Sequence, residues 1–147
     1  MPEKTMTMAE YRKIALSPKP KHKYNVSPDK KKRTVRTPEK FVLTFQSQLE
    51  ARFYEHLREQ EKIGGIMLIL RQLPFDLPGG IKYRADFIVF TDTKSGNMYQ
   101  IIYDVKGCTN PKAKVYQEWK RTKKMVEAIH NVKIVEVTQK KGKWIYT

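Results

Sequence analysis

An α/β domain, a mixed β-sheet flanked by helices, is predicted for this chain from three observations. Two apolar strands, residues 83–90 and 98–106, enclose a polar turn rich in Ser, Gly and Asn. Two segments with helical periodicity, residues 46–65 and 111–130, bracket that hairpin, and a further apolar strand, VKIVEV at 132–137, follows the second helix. With 147 residues the chain can bury a sizeable core without staples, and one compact domain is expected.

Residues 1–40 form a basic, proline-punctuated leader. They hold 12 Lys or Arg against 4 Asp or Glu, over half of the net charge of +15 in the first 40 of 147 residues. Residues 7–16 have the spacing of a short helix around Met8, Tyr11 and Leu16, but the remainder offers too few apolar side chains to pack and is expected to be mobile on its own. The leader reads either as an arm that tracks phosphates, with Arg33 and Arg36 among the contacts, or as a solubilising tail, because like-charge blocks serve both ends.

The packed domain is expected over residues 41–147. FVLTF at 41–45 reads as a short strand, and QSQLEARFYEHLREQEKIGG reads as a helix closed by Gly64 and Gly65. Ser47 and Glu50 stand at the spacing of a capping box, in which each side chain satisfies a backbone amide of the first turn. Leu49, Phe53, Leu57 and Ile63 recur on one face and should pack on the sheet. Glu50 beside that face has two readings, a helix cap or a carboxylate leaning toward the hairpin. IMLILRQLPFDL at 66–77 is an apolar run of strand length in which Pro74 points to an edge or bulge, and Pro78, Gly79 and Gly80 then turn the chain.

The hairpin carries acids on its strands. A pivot near Ser95 pairs residues whose numbers sum to about 190, which sets Asp86 opposite Asp104 within about one position. Alternation places Asp104 and Lys106 on one side and Tyr103 and Val105 on the other. Like charges directly across a strand pair destabilise it, and an Asp inside IIYDVK is costly unless partnered. A solvated sheet face accounts for the alternation alone. A divalent cation between the acids accounts for it together with the apolar neighbours Phe87 to Phe90, Ile101 and Ile102.

After Lys106 a loop leads into the helix predicted over 111–130, where Pro111 is tolerated in the first turn. Trp119, Thr122, Val126 and Ile129, with Met125 beside them, make the apolar stripe. Lys120, Lys123 and Lys124 form a basic patch, either a solvated face or a phosphate contact. Residues 143–147 are expected to pair with the preceding strand across the KKGK turn.

Thirty Lys or Arg against 15 Asp or Glu, with a pI near 9.9, favour a polyanionic partner, nucleic acid first. A membrane surface is disfavoured: there is no apolar run of about 18 residues and no signal-peptide core. Cys108 is the only cysteine, so no intrachain disulfide forms, a reducing cytoplasmic setting is natural, and the residue reads as a small packing side chain. His22, His56 and His130 show no zinc spacing.

SQLEARFYEHL, YRADF and YDVKG, in that order, give residues 41–137 a pattern that resembles the PD-(D/E)XK nuclease superfamily. Within it the chain looks nearest to small phage-type endonucleases related to Holliday-junction resolvases. The resemblance implies a restriction-endonuclease-like core. It matches Glu50 to the helix carboxylate, Asp86 to the hairpin acid, and Asp104 with Lys106 to the acid-x-Lys pair. Ala85 stands where the pattern has proline, which alters the turn into the strand and not the chemistry. Also implied is a divalent-metal-dependent endonuclease acting on DNA, a nickase or a structure-selective enzyme of branched DNA. Mg²⁺ or Mn²⁺ would be held by Asp86, Asp104, the Val105 carbonyl and Glu50, hard oxygen ligands suited to those ions. Lys106 would orient or deprotonate the attacking water, while Lys120, Lys123 and the leader held the phosphates. A resolvase needs two sites and hence a homodimer, and the implied setting is the cytoplasm of a bacterium or a phage-infected host cell. Two alternatives stand beside it: a non-catalytic nucleic-acid-binding module of the same fold, and an RNA-directed nuclease, since the expected contacts are to phosphates.

Overall fold

The computed structural model describes residues 30–37 and 40–147. The predicted helix at 7–16 and most of the leader lie outside them. A five-stranded mixed sheet runs in the order β3 (Leu68–Leu77), β4 (Ile81–Asp92), β5 (Met98–Val105), β6 (Ile134–Lys140), β7 (Lys143–Tyr146). Neighbours are antiparallel except β5 and β6, which the helix α2 (Lys114–His130) joins in parallel. The helix α1 (Gln48–Lys62) covers the other face. The mixed α/β architecture flanked by helices is therefore present, and no helix among the described residues is long and apolar enough to cross a membrane.

Two cores follow from the alternation of strand side chains. On the α1 face Phe45, Phe53, Tyr54 and Leu57 meet Phe87, Val89, Val105 and Val137. On the α2 face Val126 and Trp119 meet Tyr83, Ala85, Ile88, Ile102 and Ile134. Phe53 is fully buried, with its ring edge-on to Phe87, Tyr103 and Trp144 at centroid distances of 5.7, 5.3 and 5.0 Å.

Regular alternation fails at one point. In β4, Tyr83 and Ala85 face α2, but so do Ile88 and Phe90, so the strand changes parity at Asp86. In β3, Phe75 faces α2 while Ile69 faces α1. The change there falls at Gln72, which has φ of 54° and interrupts the β3–β4 ladder opposite Asp86. Both strands reverse faces together, so their register is the same on either side of the break. A left-handed residue inside a strand is uncommon for a non-glycine side chain and marks a local constraint.

Several expectations are corrected. The boundary at Lys40 divides a β-ribbon: β1 (Thr34–Arg36) pairs antiparallel with β2 (Val42–Thr44), and Val35 and Leu43 pack against the α1 core. The strand expected at 41–45 thus belongs to a separate two-stranded sheet. Ile63 is 77% exposed, because the helix ends at Lys62 and the chain leaves the stripe; Ala51 and Tyr54 complete the buried face instead. The second helix begins at Lys114 and not Pro111, since Asn110 caps a turn through Lys112 N–H to Oδ1 at 3.0 Å and Ala113 N–H to its carbonyl at 2.9 Å. On that helix Val126 is buried, but Met125 and Ile129 are exposed, and Tyr116 takes the inward place nearer the N-terminus. Cys108 is exposed, in the loop that leaves the sheet, and is not the packing residue expected.

The interlocked rings around Phe53 predict that Phe53→Ala lowers the unfolding free energy by about 3–5 kcal/mol, read from the urea midpoint at unchanged m-value.

Candidate functional site

β4 and β5 form a ladder only up to Phe87 opposite Tyr103, a sum of 190. Beyond that pair β4 continues with β3, while Asp104 and Val105 continue with β6. The sheet forks there. The Val105 N–H, which a neighbouring strand would otherwise satisfy, donates to Asp86 Oδ2 at 2.8 Å, and Asp86 Oδ1 accepts from Gln72 Nε2 at 3.3 Å. The face reversal at Gln72 and Asp86 is thus what brings a carboxylate into the opening.

Asp104 is 2% exposed and points to the α2 side. Its Oδ2 accepts from the Tyr83 hydroxyl and from Trp119 Nε1–H at 2.7 Å. Its Oδ1 is buried and is ion-paired with the Lys106 ammonium at 2.5 Å. Nζ of Lys106 also lies 4.6 Å from the centre of the Trp119 ring. Burial, and then the adjacent Asp104 carboxylate, push the Tyr83 hydroxyl pKa up, so it stays a donor.

Glu50 enters from the start of α1. Its N–H donates to Ser47 Oγ at 3.1 Å, Ser47 Oγ donates to Glu50 Oε1 at 3.0 Å, and the Gln46 N–H donates to Oε2 at 3.4 Å. It is therefore a working cap. It also lies within electrostatic reach of the fork: burial raises its pKa, Ser47 and Gln46 oppose that, Asp104 adds to it and Lys106 subtracts. Asp86 is raised well above the usual carboxylate range, by burial first and then by Asp104 and Glu50. The three acids and Lys106 thus share one neighbourhood. Their donor atoms are not gathered, however: among the described residues no group of three or more His, Cys, Asp or Glu is arranged to hold a metal ion. Both oxygens of Asp86 and of Glu50 are engaged in hydrogen bonds, and Asp104 Oδ1 is held by the Lys106 ion pair.

The basic residues separate into two groups. Lys120 lies 5.2 Å over the Tyr116 ring and Lys123 lies 5.6 Å over that of Trp119, with Lys124 exposed beside them on α2. Arg33 and Arg36 are on the α1 side. Arg33 donates to the carbonyls of Phe45 and Gln46 at 3.4 and 3.1 Å and so fastens the ribbon to the α1 cap. Arg36 lines a cleft against Tyr54, Arg58 and Lys62.

Several residues of the site were not singled out in the sequence. Glu136 on β6 is the register partner of Asp104, is buried, and takes the Tyr116 hydroxyl at 2.8 and 3.0 Å on its two oxygens. The signal was present in VKIVEV, an acid in an apolar strand like that of IIYDVK. Tyr83, Trp119 and Tyr116 carry no such mark, because an aromatic residue in a strand or on a helix stripe reads as core.

A carboxyl whose pKa is raised by folding favours the folded state below its unfolded pKa of about 4, and that contribution is lost as pH rises through the folded value. Asp86→Asn, which keeps an acceptor for Val105, is therefore expected to stabilise the protein at pH 7–8 relative to wild type, with the gain shrinking as pH falls toward about 4; thermal melts across that range check it. No protein-family model matches this chain, and no curated protein or solved structure matches it.

Proposed function

We propose that this chain is a divalent-metal-dependent endonuclease that hydrolyses DNA phosphodiester bonds, with a restriction-endonuclease-like core. The observation that carries the reading is Asp104, a buried carboxylate whose Oδ1 is ion-paired with the Lys106 ammonium at 2.5 Å, in the field of two further carboxylates whose protons are held more tightly than usual. Buried acids repel one another unless positive charge intervenes, and their hard oxygens suit Mg²⁺ or Mn²⁺. The donor set fits such an ion in chemistry, and Asp104, Asp86, the Val105 carbonyl and Glu50 are the groups that would hold it. When bound, the ion supplies charge stabilisation at the scissile phosphate and a more acidic water.

The remaining work falls to the chain. Lys106, 25% exposed at its side chain, would hold a substrate oxygen and orient the attacking water, or, as the neutral amine, take its proton. Trp119 and Tyr83 keep the Asp104 carboxylate in one rotamer. Lys120, Lys123 and Lys124 on α2 offer phosphate contacts beside the fork, and the net charge of +15 draws the polyanion in. A nickase or a branch-selective enzyme, working as a homodimer in a bacterial or phage-infected cytoplasm, is the specific form of this reading.

A second reading has its own support. Lys106 already neutralises Asp104 and no three acids among the described residues converge, which suits a module that binds nucleic acid without cutting it. Incubating the protein with supercoiled plasmid and synthetic four-way junctions in Mg²⁺ or Mn²⁺ separates the two. The endonuclease reading expects nicked or linear product that chelation abolishes. Asp104→Ala should be inactive and Lys106→Ala should lose on the order of a hundredfold, each checked for folding by circular dichroism. Salt-sensitive binding without turnover under either ion would leave the binding module, and cleavage that survives both substitutions would remove the site.

A further inference from the structure

The two oxygens of Asp104 are treated very differently. Oδ2 has two donors, the Tyr83 hydroxyl and the Trp119 indole N–H. Oδ1 has no neutral donor, is closed to solvent, and is ion-paired with Lys106 Nζ at 2.5 Å. Trp119 acts twice, its N–H edge on Oδ2 and its face under the ammonium at 4.6 Å. It is itself held from behind, because its ring stacks on Tyr116 at 5.6 Å and 27°, and the Tyr116 hydroxyl is anchored on Glu136, the neighbour of Asp104 in the sheet. A buried oxygen with a cation already against it has no free approach for a second one.

Resting on the endonuclease reading, we propose that Tyr83 and Trp119 are positioning residues that leave one oxygen of Asp104 free of neutral donors, and that Lys106 holds this oxygen until a divalent cation replaces it. The ammonium and the metal are alternatives at one atom. With the ion bound, Lys106 would stay beside the indole face, where it could meet a substrate oxygen. Oδ2 stays with its two donors throughout.

Mn²⁺ binding measured by calorimetry on the full chain tests the exchange, and ¹H–¹⁵N spectra of the two indoles during Mg²⁺ titration test the positioning. Lys106→Met should bind Mn²⁺ about tenfold more tightly than wild type, whereas Lys123→Met, which removes a charge over the same ring but not at Oδ1, should change affinity by less than about twofold. Trp119→Phe and Tyr83→Phe should each weaken Mn²⁺ binding by about tenfold and lower kcat with KM for DNA unchanged. In wild type the Trp119 N–H should remain slow to exchange with solvent when Mg²⁺ is added, with Trp144 as the internal reference. Wild-type binding that Lys106→Met does not tighten, or a Trp119 N–H that becomes labile on adding Mg²⁺, overturns the proposal while leaving a metal-dependent enzyme intact. Binding of neither ion by wild type or by Lys106→Met overturns both. The spectra need no substitution, so an unfolded variant does not remove the test.

Discussion

The site depends on one backbone amide. Where β4 parts from β5, the Val105 N–H faces a gap in the sheet, and a buried amide without an acceptor costs about as much as a lost hydrogen bond. The Asp86 carboxylate fills that role at 2.8 Å. It can do so only because β4 changes face at that residue, which turns a side chain that would have stood above the sheet into the fork. The same change is imposed on β3, where Gln72 takes a left-handed backbone and gives its amide to the other oxygen of Asp86. Closing a strand pair and placing an acid are here one structural event, and Asp104 follows because it is the next residue on the strand from which β4 has departed.

Acids assembled in this way oppose folding, as the raised pKa values of Asp86 and Glu50 record. Opposing that cost is an aromatic core on the α1 face, where Phe45, Phe53, Tyr54, Phe87, Tyr103 and Trp144 contact one another at 5.0–6.3 Å. Such pairs contribute about 0.5–1.5 kcal/mol each beyond the area they bury. The α2 face is built otherwise. There the helix is attached through side-chain donors to carboxylates, Trp119 on Asp104 and Tyr116 on Glu136, one helical turn apart on the helix and on adjacent strands of the sheet. The polar attachment fixes α2 axially where apolar packing alone would allow it to slide.

Much of this was legible in the sequence because it rests on local rules. The hairpin register followed from its turn, Ser47 and Glu50 formed the predicted cap, and Pro74 lies on an edge strand. What was not legible arises where two strands act together. Strict alternation from Tyr83 to Phe90 would keep one parity, and nothing in RAD announces the reversal, since it is the paired change at Gln72 that makes it possible. The ribbon was hidden for a similar reason: TVR is too short and polar to read as a strand until VLT lies beside it. The partners of Asp104 were hidden because the donors are aromatic, and aromatic residues at core spacing declare their rings and not their N–H or O–H groups.

On the endonuclease reading, α2 joins binding to chemistry in a single rigid element. Trp119 holds Asp104, Lys123 lies over the same indole four residues on, and Lys120 lies over Tyr116, whose hydroxyl holds Glu136. Phosphates drawn to these lysines would then load the helix that carries the rings orienting the carboxylates. A helix seated only on apolar side chains could tilt under such a load and carry Asp104 out of line, at a cost in rate that small misplacements make large. Two carboxylate anchors one turn apart resist that tilt, so the backbone contacts that give affinity without sequence preference are transmitted to the reacting centre as alignment.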